Sequence, residues 1–561
     1  MHAQVEASTL NMSTSESSKS TYTESVSGLC LANLWIAFIT FALAAFMGLY
    51  QVAERSGLFP KIEFIELYYR SVSSHGVIMG FVLTTFFIMG FGYWISHTTL
   101  KIPLWGGKSL GWLGFLISLG GTAAAAVMLF MGEASVMYTF YPPLKANPIF
   151  YFGATFLVVG SWVWCLQMVM TMNAWKKLNV GAAVPLAMYA MTANAILWFI
   201  TSLGVASEVL FQLIPWSMGW IDKIDVGLAR TLFSWTLHAI VYFWLIPAYI
   251  AFYTLVPKAA NGKLFSDEFS RISILMLLVF SVPIGMHHLY VDPFQDAGWK
   301  FVHMIGTFMV AIPTLITGFT VIASMEVAGR LRGGKGLFGW ITALNWSNPM
   351  VLSGGLSLLM LTVGGWGGMV NASYSMDVAV HNTQWITGHF HLIFAGTTVI
   401  MYMSTAYYMW PSMTGRPLFS TKLALLQLWT WFIGMLVLTL PWHILGLLGQ
   451  PRRIGVAPYS EEFTAAWGPY EFLMFVGGVI LFFSAVIFVV NLLFSHFTAK
   501  AAIMPVMEYA EPMHPVLNIP KLLNGFGFWT AVIVVYMIAS YGYPILQFFL
   551  METNGTFPWS I

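Results

Sequence analysis

Thr387-Gly388-His389-Phe390-His391 lies inside an apolar stretch, 379–410, long enough to cross a membrane. Residues two apart on an α-helix point about 200° apart, to nearly opposite faces. One helix therefore offers an imidazole to each of two sides, and each imidazole most naturally ligates a different partner. His75, His238, His287 and His288 also fall in apolar segments. Buried ionisable rings are costly without partners, so six of them in apolar surroundings point to bound groups.

Around this stretch the whole chain has the same character. It has 561 residues, 58% apolar and 8% charged, against about 25% charged in an ordinary soluble domain. No soluble core can use so much apolar surface, and long unbroken apolar runs exclude a β-barrel. Charges and Pro/Gly clusters bound 13 expected spans: 29–50, 71–97, 109–131, 149–173, 184–214, 228–256, 270–290, 299–325, 349–370, 379–410, 423–448, 469–495 and 524–550. The expected fold is an all-α integral membrane bundle of about 13 transmembrane helices. Placing the N-terminus inside puts 15 Lys and Arg on the inner side and 9 on the outer, which sets an N-in, C-out expectation.

Residues 1–27 are polar and Ser/Thr-rich, without the basic-then-apolar layout of a signal peptide. They read as a disordered cytoplasmic tail. Residues 28–551 read as a single membrane domain and 552–561 as a short C-terminal tail. A net charge of +2, without a basic patch, gives no footprint for nucleic acid. Cys30 and Cys165 stand far apart, so this chain alone builds no iron–sulfur or thiolate copper site. A sulfur-ligated electron-entry centre would belong to a partner.

His287 and His288 are neighbours, which on a regular helix diverge by about 100°. Pro283 and Gly285 supply the distortion that would bring both to one ion, although two interfacial histidines fit the pair equally when it is read alone. Tyr242, Tyr249 and Tyr253 follow His238 at +4, +11 and +15, within about 60° of arc and over about 22 Å of helix. An aromatic packing stripe is one reading of that face. A polar track is the other, which Thr314 and Thr317 would extend. Glu208 is an intramembrane acid and a proton-relay candidate; His303 has no evident partner in sequence.

Three neutral imidazoles from two segments suit a redox-active copper, and zinc fits as well by ligand type. His75, His389 and His391 remain. Three histidines serve one six-coordinate haem and one five-coordinate haem. A five-coordinate haem facing a three-histidine copper is an oxygen-reducing arrangement.

His238-Ala239-Ile240-Val241-Tyr242, Pro283-Ile284-Gly285-Met286-His287-His288, Gly388-His389-Phe390-His391 and the early His75-Gly76 resemble, in that order, subunit I of the haem–copper oxygen reductases. The resemblance covers about residues 29–550 and looks closest to the B family, whose cytochrome c oxidases carry one b-type and one a-type haem. It implies His75 and His391 as axial ligands of the low-spin haem and His389 as the axial ligand of the high-spin haem. It implies His238, His287 and His288 as the ligands of copper B, with Tyr242 cross-linked to His238 and Phe390 between the haems. Asp377, His381, Arg452 and Arg453 match positions near the haem propionates, where arginine would meet carboxylates bidentately; interfacial snorkelling is the bland alternative. Tyr249, Tyr253, Thr314 and Thr317 resemble the B family's single proton pathway. The A family's channel-ending glutamate is replaced here by Ile240.

The implied function is a terminal respiratory oxidase that reduces O2 to water, takes up protons and pumps them. It would sit in a prokaryotic cell membrane with an N-terminus in the cytoplasm. Its electrons would come from cytochrome c through subunit II, copper A-bearing in that case, with a small single-span subunit as a further companion and membrane lipid around it. A quinol oxidase of the same family is the first alternative. A nitric oxide reductase is disfavoured by Tyr242 and Ile240, and a multispan transporter with histidine proton relays would hold no haem.

Overall fold

The computed structural model describes residues 26–58, 65–457 and 459–550, and every regular element among them is a helix. The expected tails 1–27 and 552–561 lie outside the described residues, apart from Val26 and Ser27 at the start of the first helix. Lipid offers no partner to a backbone N–H or C=O, so a membrane-crossing chain satisfies both within helices.

Among the described residues twelve helices are long and apolar enough to cross a membrane: α1 Ser27–Arg55, α2 Ile65–Leu100, α3 Gly107–Met131, α4 Pro148–Leu178, α5 Leu186–Ser217, α6 Val226–Ala259, α8 Ala297–Leu331, α9 Pro349–Ala372, α10 Gln384–Thr414, α11 Thr421–Leu447, α12 Glu461–Phe497 and α13 Gly527–Leu550. The remaining expected span, 270–290, is helical only as α7 Asp267–Phe280. A turn and a 3-10 helix, Gly285–Leu289, follow it. Pro283 cannot donate to an α-helical ladder, so the helix ends before it.

Caps mark several starts. Asn147 and Asn348 each accept a backbone N–H from the second helical residue, with proline at the first position of α4 and α9. Ser266 and Ser420 cap α7 and α11 by accepting the backbone N–H of the third helical residue. Glycine sets the closest approach between helices: a Cβ at Gly121 of α3 would lie 2.5 Å from the Gly153 carbonyl of α4, so the two backbones meet directly.

The most apolar windows of α6 and α2 are 94% and 89% buried, whereas that of α13 is 28% buried. The central columns are therefore the helices that carry His238 and His75, and α13 lies on the rim. Widened π-turns interrupt the helices beside the site. Ile78–Leu83 comes three residues after His75, Leu392–Val399 starts directly after His391, and Ala251–Leu255 contains Tyr253. Such turns shift the helical face that follows them and recur at functional sites.

Candidate active site

A cavity of about 720 Å³ in the centre of the bundle is lined by His75, His238, His287, His288, His389 and His391, with Tyr242 in the same wall. A water's share of liquid is about 30 Å³, so the space takes far more than one ion. It is the meeting point of α2, α6, α9, α10 and the turn after α7.

The opposite-facing reading of α10 holds. His391 turns towards α2, where its ring lies 6.2 Å from that of His75 with planes only 15° apart. Two imidazoles on one metal, with bonds of about 2 Å, have their ring centres about this far apart. His389 turns towards α9, where its Nδ1 lies 2.9 Å from the Gly364 carbonyl. The other two rings are fixed in the same way: His75 Nδ1 lies 2.8 Å from the Ala44 carbonyl, and His391 Nδ1 lies 2.8 Å from the Thr387 carbonyl. A carbonyl only accepts, so in all three rings Nδ1 carries the hydrogen and Nε2 keeps its lone pair for a metal. Glycine leaves room for the rings: a Cβ at Gly48 would come within 3.0 Å of His75 Cε1, and one at Gly368 within 3.1 Å of His389 Cε1. Phe390 stacks on Tyr138 and Phe394 and lies 6.0 Å from Trp244, between the two sides that its neighbours serve.

His238, His287 and His288 come together, each offering a nitrogen within 4.8 Å of the others. His238 Nδ1 lies 3.0 Å from His288 Nε2, and His238 Nε2 lies 2.9 Å from the Tyr242 hydroxyl. One nitrogen of His238 thus faces the other histidines and the second faces the phenol. α6 breaks at His238, since Val226–Leu237 and Ala239–Ile250 are separate helical runs around it. His287 Nδ1 is held by the Ile284 carbonyl and by Thr307 at 3.0 Å, leaving Nε2 free. The distortion expected from Pro283 and Gly285 is the 3-10 turn that presents both histidines. Three such nitrogens, with open positions towards the cavity, can hold a copper ion.

His381 Nδ1 lies 2.6 Å from Asp377 Oδ2, and both residues line the cavity together with Arg452 and Arg453. Arg452 does not pair with Asp377. Its backbone and guanidinium bond to Asn382 instead, at 3.0 and 2.8 Å, while its buried Nε has no hydrogen-bond partner among the described residues. Burial, and then the charge of Arg453, lower the Arg452 pKa to about 10. Burial raises that of Asp377, opposed by His381 and Arg452. Among the described residues Arg452 forms no ion pair, and a carboxylate group on a ligand filling the cavity would supply one. Arg453 stacks its guanidinium over Tyr138 at 5.1 Å.

The polar track has two linked pieces. Tyr253 Oη lies 2.5 Å from Thr317 Oγ1, which lies 2.7 Å from Ser273 Oγ. Tyr249 donates to Thr314 over a long 3.4 Å, and Thr314 reaches the cavity wall that also holds Tyr242. Tyr242 itself bonds to His238 and to neither threonine. Sequence reasoning missed Ser273: with Ser270 it forms an i,i+3 serine pair in α7, and helical serines ordinarily bond back to their own backbone. Glu208 lies in α5, off this track, fully buried and with both carboxylate oxygens unpaired among the described residues. His303 packs behind the His287–His288 turn rather than in the cavity.

The family model described as cytochrome C and quinol oxidase polypeptide I matches residues 29–480. Cytochrome c oxidase subunit 1 of Thermus thermophilus is 39% identical over 497 residues, covering 87% of this chain and 88% of that protein. The corresponding subunit of Thermostichus vulcanus is 26% identical, covering 83% of each. A heme-copper terminal oxidase solved as a dimer by cryo-electron microscopy superimposes with a TM-score of 0.89 at 34% identity, covering 93% of each chain. A bundle of membrane-crossing helices, seven histidines around one cavity and these relatives lead to one assignment: the chain belongs to the cytochrome c and quinol oxidase polypeptide I family, as the multi-pass catalytic subunit of a respiratory terminal oxidase.

Proposed function

We propose that this subunit reduces O2 to water with electrons from cytochrome c, delivered through a copper A-bearing subunit II. We assign its cofactors as a low-spin b-type haem, a high-spin a-type haem and one copper. The observation that carries this reading is the convergence on one cavity of the close His75–His391 pair, the single His389 and the three-histidine cluster joined to Tyr242.

His75 and His391 would hold the low-spin haem, His389 the high-spin haem, and His238, His287 and His288 the copper. When bound, the high-spin haem and copper supply the site where O2 is reduced. The chain's own residues arrange protons and charge around it. Tyr242, 2.9 Å from His238 Nε2, is placed to form the cross-link and to give a proton and an electron from its phenol. Arg452 and Arg453 would neutralise haem propionates, with the Asp377–His381 pair beside them. Tyr253, Thr317, Ser273, Tyr249 and Thr314 pass protons from the inner side towards Tyr242. With the N-terminus inside, electrons and protons approach from opposite faces, which builds membrane potential. Ile240 supports the single-pathway B-family reading, as does the Thermus relative.

The dithionite-reduced, purified protein is expected to show the α-bands of two haems. Pyridine haemochrome analysis is expected to give one b-type and one a-type. Oxygen uptake should follow reduced cytochrome c; uptake with quinol alone would move the donor assignment, and a spectrum without haem would overturn the oxidase reading.

A further inference from the structure

The last helix, α13, lies wholly beyond the family match, which ends at residue 480. It is the least enclosed of the long elements together with α8. Its few buried residues, Ile533, Ser540, Tyr541, Pro544 and Gln547, lie on one face and are largely polar. A rim helix packed by apolar contact alone would bury leucines, so these polar groups need an account.

Tyr541 supplies it. Its hydroxyl accepts the Gly285 N–H at 3.1 Å and donates to the Ser234 carbonyl at 3.3 Å. Gly285 opens the turn that carries His287 and His288, and Ser234 lies one helical turn before His238. One hydroxyl therefore bridges the backbones of the two segments that supply the cluster. Gly285 is indispensable to that approach: a Cβ there would collide with the Ser234 carbonyl and come within 2.5 Å of the Tyr541 hydroxyl. The Tyr541 ring stacks on Trp235 at 5.9 Å and meets His303 edge-on at 5.1 Å. His303 continues the link. Its Nδ1 accepts the Met286 N–H at 3.2 Å, and its Nε2–H donates to the Ser540 carbonyl at 3.3 Å. The imidazole is thus held in one neutral tautomer between the ligand turn and α13, and both rings are buried.

We infer that α13 is a clamp on the copper site, with Tyr541 and His303 as positioning residues that fix the spacing between His238 and the His287–His288 pair. The inference rests on the copper assignment made above for these three histidines. Ligand spacing set by partners outside the ligand set is what governs metal retention, and loss of such a partner costs about 10- to 100-fold in affinity.

The test uses the purified holoenzyme with its partner subunits. Tyr541→Phe keeps the ring and removes the hydroxyl. It should retain both haems with unchanged spectra, lose copper to a chelator at about 10- to 100-fold lower concentration, and shift or broaden the infrared stretch of copper-bound carbon monoxide. Gln547→Leu breaks a different α13 tie, the hydrogen bonds to Gln295 and the Phe294 carbonyl, and should retain copper as the parent does. Parental copper retention and an unchanged carbon monoxide band in Tyr541→Phe would overturn the clamp. So would equal copper loss in Gln547→Leu, which would mean general loosening of α13. If Tyr541→Phe yields no haem-loaded enzyme, His303→Phe decides by the same criteria. Absence of copper from the parent enzyme would instead overturn the copper assignment itself.

Discussion

Thr317 is the junction of the inner half of the polar track, and its removal offers a graded test of proton entry. Its Oγ1 meets Tyr253 at 2.5 Å, Ser273 at 2.7 Å and the Pro313 carbonyl at 2.8 Å. Thr317→Val replaces that hydroxyl with a methyl of nearly the same shape, so the packing of α8 against α6 and α7 persists. The Tyr253 hydroxyl then faces an apolar group in a fully buried place, while Ser273 keeps its 2.8 Å bond to the Pro313 carbonyl. Leaving a buried polar group short of a partner costs about 1–3 kcal/mol. Placed on the proton's path, that cost slows passage by about 5- to 150-fold, since about 1.4 kcal/mol is a factor of ten. Oxygen uptake per haem and stopped-flow proton uptake should fall together, while the haem spectra stay unchanged. Thr317→Ser restores the oxygen atom and should restore most of the rate. Thr314→Val should cost less, because the Tyr249 bond it removes is already long at 3.4 Å. Parental proton uptake in Thr317→Val would refute the track as the route.

Tyr242→Phe should leave both haems bound and abolish turnover with O2, measured by oxygen electrode; full activity would remove Tyr242 from the chemistry. Gly48→Ala places a Cβ 3.0 Å from His75 Cε1, and overpacking of this kind costs about 1–3 kcal/mol. The low-spin haem's α-band and thermal unfolding should both shift, and an unmoved spectrum would argue that His75 is not an axial ligand. Arg452→Met removes a half-buried positive charge beside the cavity and should lower a haem reduction potential, by about 59 mV for each tenfold change in equilibrium constant. Spectroelectrochemical titration reads this directly, and an unchanged potential would separate Arg452 from the haems.

The site's local geometry was open to reading from the sequence because helical period alone decides it. His389 and His391 are two positions apart, so they had to face apart; His238 and Tyr242 are four positions apart, so their rings had to meet. Pro283 and Gly285 announced the break that lets His287 and His288 converge, although the helix proved to stop earlier, at Phe280, than the expected span 270–290 required. What stayed hidden depends on which helix lies beside which. Tyr541 and Gly285 are 256 residues apart, and Thr317 and Ser273 are 44 apart. Period gives the face a side chain takes, not the neighbour that face meets. The same limit left His303 without a partner on paper, and it hid Asn382 as the group that Arg452 contacts. The expected α6 stripe was drawn on a straight helix, yet the real helix breaks at His238 and widens at Ala251–Leu255. The tyrosines reach their threonines across those irregularities.

The three rings proposed to ligate the haems hand their Nδ1 hydrogens to the carbonyls of Ala44, Gly364 and Thr387. No side chain takes part in choosing the tautomer. A carbonyl belongs to the peptide and survives any substitution that leaves the helix intact, so the chemistry of these ligands is insulated from drift at the very residues that set it. Ala44 and Thr387 can change identity without altering which nitrogen faces the metal. The vulnerable positions are the quiet ones with no functional group, Gly48 and Gly368, where a single methyl reaches the rings themselves. Damaging variants of this subunit should therefore cluster at glycines as well as at histidines.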